Sequence, residues 1–67
     1  MNLSTRNQLK GRVTNLKKGP VSTEVSVDIG GQTMVSSITS TSADNLALAV
    51  GEDVTILVKA SSVMIGK

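Results

Sequence analysis

From Val21 to Ile29 the chain alternates without a break: Val21, Thr23, Val25, Val27 and Ile29 against Ser22, Glu24, Ser26 and Asp28. A period of two is the mark of a strand with one face in a core and the other in water. A helix would scatter those side chains around its axis, because its period is 3.6 residues. Gly30-Gly31 follows at once, and a Gly-Gly pair supplies the positive φ angles of a tight hairpin turn. A strand and a reversal therefore stand near the middle of the sequence, and the rest must be built around them.

The neighbouring segments read in the same way. Leu9 to Leu16 is short and β-compatible, with Leu9, Gly11 and Val13 at alternate positions. A glycine inside a strand marks a bulge or the close approach of another backbone. Lys17-Lys18-Gly19-Pro20 is a turn, where Pro20 fixes φ and offers no N–H. A third strand is expected from Gln32 to Thr39, with Met34, Ser36 and Ile38 on one face and Val35, Ser37 and Thr39 on the other. Thr41-Ser42-Ala43-Asp44 then reads as a capping box, with Thr41 as N-cap and Asp44 at N3. It opens a helix of about two turns through Leu48. A fourth strand, Val54 to Lys59, and a last short one, Val63-Met64-Ile65, are apolar on both faces. Those faces pack either on another subunit or within a barrel wall beneath the helix. The expected fold is all-β: a five-stranded, OB-like Greek-key barrel with one short helix between strands 3 and 4.

Composition sets the conditions for such a fold. A chain of 67 residues buries only about 60% of the surface it exposes when unfolded. Domains this small usually add disulfides, a structural metal or oligomerisation. There is no Cys and no His, which removes the disulfide and the usual zinc ligands. Nor is there any Phe, Tyr or Trp, the side chains that bury most area. Oligomerisation is the remaining staple.

Composition also narrows function. Without His, a Lys59 or hydroxyl nucleophile has no activating base, and the five acidic residues fall at strand-face, cap or turn positions. An enzyme is not expected. No apolar run approaches the roughly 20 residues of a membrane helix. Met1-Asn2-Leu3-Ser4 lacks the apolar stretch of a signal peptide, so a cytoplasmic protein without a membrane partner is expected. The net charge of +2 favours a small anion only mildly.

Ser4-Thr5-Arg6-Asn7-Gln8-Leu9-Lys10-Gly11 gathers hydroxyl, guanidinium and amide donors ahead of the first strand. Two further blocks, Ser36 to Ala43 and Val58 to Ile65, stand with it, and Gly51 precedes the fourth strand. In order and spacing these resemble the molbindins, the single-domain Mop proteins of the OB-like Mop/TOBE family. The same domain occurs in molybdate-responsive regulators and molybdate-importer ATPases. The resemblance covers residues 1–67 as one Mop domain. It implies binding of molybdate or tungstate as the free oxyanion, with no cofactor, for molybdenum storage or homeostasis. It also implies a homohexamer, a trimer of dimers, with sites between subunits. The residues it implies for the oxyanion are Ser4 and Arg6 from the first block, Thr39 and Ser42 from the second, and Lys59, Ala60 and Ser61 from the third. Thr5 departs from the small Ala common in the family, and Pro20 removes a backbone donor from the first hairpin.

The residue types suit that ligand. Molybdate is a tetrahedral dianion with four acceptor oxygens and, near neutral pH, no proton to give, so a selective site presents donors alone. Hydroxyls rotate to meet the oxygens, and Arg6 offers a rigid fork for two of them. Hydrogen bonds to charged groups contribute roughly 1.5–3 kcal/mol each. A handful, less the cost of association, reaches the roughly 8 kcal/mol of micromolar affinity.

Each residue also has a plainer reading. Arg6 is equally a solvated surface arginine, Thr39 and Ser42 are helix-capping groups, and Lys59 can lay its stem on the core with its charge in water. Lys17 and Lys18 belong to a solvated turn, and Met34 and Met64 fill core. Two other functions compete. An OB-fold nucleic-acid module would need aromatic stacking platforms, which the chain lacks. A ligand-free oligomerisation module would leave the Arg6 cluster without a purpose.

Overall fold

The computed structural model describes residues 6–67. Its elements run β1 (Asn7–Lys18), β2 (Ser22–Asp28), β3 (Thr33–Thr39), α1 (Ser40–Asn45), β4 (Asp53–Val58) and a single 3₁₀ turn, Ala60–Ser62. The strands form one antiparallel sheet in the order β3-β2-β1-β4. A fourth strand that returns beside the first, after two hairpins, is the Greek key.

The long strand β1 organises the sheet. Its first half, Asn7 to Arg12, pairs with β4, and its second half, Arg12 to Lys18, pairs with β2. The register shifts between Val13 and Asn15, a bulge that bends the strand and sharpens its twist. Beside the bulge, the Val13 N–H donates to the Glu52 carbonyl at 2.9 Å and the Gly51 N–H donates to the Val13 carbonyl at 2.8 Å. Gly11 lies at the close approach of a neighbouring strand. A Cβ there would stand 2.5 Å from Val27 Cγ1 and 2.7 Å from the Asp28 carbonyl oxygen.

The core is aliphatic. Val13, Val25 and Val27 are buried, with Leu16, Ile29, Ile38, Leu48, Val54 and Ile56 packed around them. The alternation of β2 places Thr23, Val25 and Val27 inward, as expected. Val21 does not follow, and is 76% exposed, because it lies in the β1–β2 turn ahead of the strand. The expected fifth strand is not found among the described residues: after the 3₁₀ turn, residues 63–67 pair with no described strand. Three apolar residues supply too few ladder hydrogen bonds to hold a strand alone, and Met64 and Ile65 are about nine-tenths exposed.

The β2–β3 hairpin turns where Gly30-Gly31 requires it. Both glycines have positive φ, 104° and 96°, and the Ile29 N–H donates to the Gln32 carbonyl at 2.9 Å. One oxygen of Asp28, Oδ1, accepts the N–H groups of Gly30 (3.0 Å) and Gly31 (2.9 Å). These bonds favour the charged carboxylate and hold Asp28 below its ordinary range, Gly31 contributing most, then Gly30. A carboxyl whose pKa is lowered by folding adds stability that is full above its unfolded pKa, near 4. That stability is lost as pH falls through the folded value. Asp28→Asn is therefore expected to lower the midpoint of urea unfolding at pH 7 and to flatten its decline below about pH 4.

The helix begins earlier than its sequence suggested. Its N-cap is Thr39, not Thr41, and the Thr39 hydroxyl oxygen accepts the Ser42 N–H at 3.1 Å. No acidic residue lies in the first turn, so Asp44 plays no part in a capping box. Tertiary bonds explain the choice: the Ser40 N–H donates to the Val21 carbonyl at 2.8 Å, and the Ser40 hydroxyl donates to the Gly19 carbonyl at 2.7 Å.

The far end of α1 closes with paired bonds, Ala47 N–H to the Asp44 carbonyl and Leu48 N–H to the Ala43 carbonyl. This is the Schellman arrangement, which places C′ in the left-handed region. Here C′ is Ala47, with φ 53°. Ala47→Gly relieves that strain, and is expected to stabilise the fold by about 0.5–1 kcal/mol, read as a raised melting temperature.

Candidate functional site

The expected anion ligands fall into two clusters. The first gathers where β1 meets β4. Asn7 pairs with Val58, so Arg6 and Lys59, the next residue outward on each strand, flank the same end of the sheet. Both are exposed. Lys59 is the N-cap of the 3₁₀ turn, and Ala60 and Ser61 follow within it, also exposed. Ser4 lies outside the described residues. This end is basic and open.

The second cluster is Thr39 and Ser42 at the start of α1. Thr39 Oγ1 accepts the Ser42 N–H and donates to Ser42 Oγ at 2.7 Å. Its proton is thus committed, while the Ser42 hydroxyl, having accepted, retains a proton to give outward. The plainer reading holds here: Thr39 caps the helix, and in doing so orients Ser42. Asp44 lies two residues on, and Lys18 offsets its charge through a 2.9 Å pair. Lys18 is thus tied to the helix and is not merely a solvated turn residue.

Within one chain the two clusters lie apart. Thr39 pairs with Ser22 on β2, whose neighbour Thr23 pairs with Lys18 at the end of β1. Arg6 precedes Asn7 at its beginning. The 12-residue strand puts a contour of roughly 36 Å between those ends, at about 3.3 Å per residue. Among the described residues no hydrogen bond links the clusters.

Two surface depressions among the described residues avoid both. The larger, about 660 Å³, is lined by Lys10, Arg12, Asp28 and Asp53 among others. Its charges compensate, Arg12 Nε donating to Asp53 at 3.1 Å. The smaller, about 340 Å³, lies beside Lys17, Lys18, Ser22 and Ser37. Neither is lined by any of the six expected ligands among the described residues. Each cluster is therefore open surface rather than a pocket. Among the described residues no group of His, Cys, Asp and Glu could hold a metal ion, and no helix is long and apolar enough to cross a membrane.

Two buried polar residues lie next to the second cluster and were not anticipated as functional. Thr23 is 2% exposed and Ser40 7%, and their hydroxyls stand 2.8 Å apart. Thr23 was visible in sequence only as an inward strand position, and Ser40 as one of four consecutive hydroxyl residues.

Comparison with known proteins decides the family. The TOBE domain model matches residues 3–65. This chain belongs to the TOBE family. Over 67 residues, 98% of the chain, it is 45% identical to a probable molybdenum-pterin-binding protein of Haemophilus influenzae, 97% of which is covered. A molybdate-binding protein from Sporomusa ovata superposes with a TM-score of 0.96 at 37% identity, covering 100% of both chains. The cytoplasmic molybdate-binding protein ModG, with molybdate bound, superposes with a TM-score of 0.85 at 43% identity over 90% of this TOBE chain and 43% of its own. The molbindin resemblance and the OB-like fold carry through the whole length. Four strands are found rather than five.

Proposed function

We propose that this TOBE chain binds molybdate, or tungstate, as the free oxyanion, and serves in the cytoplasm as a molybdenum store or buffer without catalysing a reaction. The observation that carries the proposal is the end-to-end likeness to the Sporomusa ovata molybdate-binding protein. An all-donor set drawn from Ser4, Arg6, Thr39, Ser42, Lys59, Ala60 and Ser61 supports it chemically.

The sites, in this reading, form between subunits of a homo-oligomer, a hexamer built as a trimer of dimers. The separation of the two donor clusters along β1 supports this, since a second chain can bring its Arg6 end to the Ser42 end of the first. So does the exposed apolar tail, Val63 to Ile65, in a chain whose stability without a staple is marginal. Each chain offers both halves, so closed symmetry fills every site alike.

Native mass spectrometry, with molybdate titrated against a large excess of sulfate, tests the proposal. A hexamer gaining discrete molybdate masses is expected. A hexamer that stays empty would leave a ligand-free assembly module, and a monomer that binds would overturn the shared-site reading.

A further inference from the structure

Among the described residues, Thr23 and Ser40 are the buried polar side chains, and both belong to one hydrogen-bonded chain. The Ser40 hydroxyl donates to the Gly19 carbonyl at 2.7 Å. Its proton is thereby used, so in the 2.8 Å contact with Thr23 the Thr23 hydroxyl is the donor. Thr23 leads to Ser40, and Ser40 to Gly19, with the Ser40 N–H bonded in parallel to the Val21 carbonyl. Burying hydroxyls in an aliphatic core is unfavourable unless they are paired. Here the pairing is complete, with no buried side-chain polar atom left unsatisfied.

Packing alone does not ask for this chain of bonds. Valine has the shape of threonine and would fill position 23 beside Val25 and Val27, and replacing both partners of a buried hydrogen bond by apolar groups can be nearly neutral. The hydroxyls add direction. The Ser40 hydroxyl fastens the first residue of α1 to the Gly19 carbonyl of the β1–β2 turn, beside the bond from the Ser40 N–H to the Val21 carbonyl. Thr39 is held by its register with Ser22, and Ser42 is held by Thr39. A binding group held by a supporting set of hydrogen bonds loses less freedom when its ligand arrives.

We infer that Thr23 and Ser40 are positioning residues for the oxyanion site: their bonds to each other and to the β1–β2 turn fix the start of α1 so that the Ser42 hydroxyl meets the anion in one orientation. The inference rests on the molybdate-binding reading above. It adds two residues that touch no ligand.

The test is calorimetric titration of the assembled protein with sodium molybdate, alongside its melting temperature and native mass. The decisive pair is Thr23→Val and Thr23→Ser. Valine keeps the volume and loses the hydroxyl, whereas serine keeps the hydroxyl and leaves a methyl-sized gap. A positioning role predicts about tenfold weaker binding for Thr23→Val and near-unaltered binding for Thr23→Ser, although the serine variant melts lower for its cavity. Ser40→Ala is expected to weaken binding at least as much, and Thr23→Val combined with Ser40→Ala no further, since both cut one chain of bonds. If Ser40→Ala does not assemble, the Thr23 pair decides alone. Affinity that follows melting temperature across the set, or stays at the unaltered value in Thr23→Val, would overturn the inference. Failure of the unaltered protein to take up molybdate would overturn the binding reading itself, and this inference with it.

Discussion

Replacing Gly11 with alanine is expected to remove about 3 kcal/mol of folding stability, from a total of about 3–10 kcal/mol for a chain of this size. The added methyl would meet Val27 Cγ1 at 2.5 Å and the Asp28 carbonyl oxygen at 2.7 Å. Val27 is among the most buried side chains, 2% exposed, and its branched Cβ leaves it few rotamers to escape into. The carbonyl belongs to the β2 backbone beside the Arg12–Asp28 pair. Relief therefore requires β1 and β2 to part at the point where β1 passes from β4 to β2. Urea unfolding at matched protein concentration should show the midpoint falling with an unchanged slope. The same change at Gly66, where a methyl would meet nothing within 4 Å, is expected to be neutral. A Gly11→Ala protein as stable as the Gly66 variant would mean that the strands are not this close.

Arg6→Ala carries the other large effect. Arg6 is exposed at the mouth of β1, outside the core cluster, so its loss is expected to leave the fold and assembly intact. In the binding account it supplies a two-pronged, charge-assisted contact to a dianion. Losing about 3 kcal/mol of such contacts weakens molybdate binding about 100-fold. Arg6→Lys keeps the charge without the fork, and is expected to fall between the two. Titration calorimetry reads the affinities. Equal affinity in all three proteins would return Arg6 to the solvated surface and leave the Lys59 end without its anchor.

The architecture was legible where a local pattern had no rival. The Val21 to Ile29 alternation and Gly30-Gly31 define the β2–β3 hairpin, and of the two readings of Gly11, a bulge or a close approach, the second is found. β1 was read too short at both ends: Asn7-Gln8 has little strand propensity of its own and is drawn into the sheet by the edge of β4, and Lys17-Lys18, read as a turn, pairs with Glu24 and Thr23 of β2. The helix start was misread for a different reason: Thr39, Ser40, Thr41 and Ser42 are all good N-caps. The choice among them is made by the Gly19 and Val21 carbonyls, about 20 residues earlier in the chain. The last apolar run, Val63 to Ile65, was read as a strand from its composition, but no strand among the described residues pairs with it. For the site, the octet at Ser4 to Gly11 signalled the donor types. It could not signal that Arg6 and Ser42 stand at opposite ends of β1, which follows from the sheet order alone.

That placement makes the central claim testable by mixing subunits. Arg6→Ala spoils one half of the site and Ser42→Ala the other, so each variant alone is expected to bind molybdate weakly. Unfolded together in equal amounts and refolded, they form mixed assemblies. Where the halves come from different chains, about one site in four pairs an intact Arg6 with an intact Ser42. Titration of the mixture should then recover about a quarter of the full-affinity sites. A mixture that binds no better than its separate components would show that both halves of each site come from the same chain, and would contradict the account.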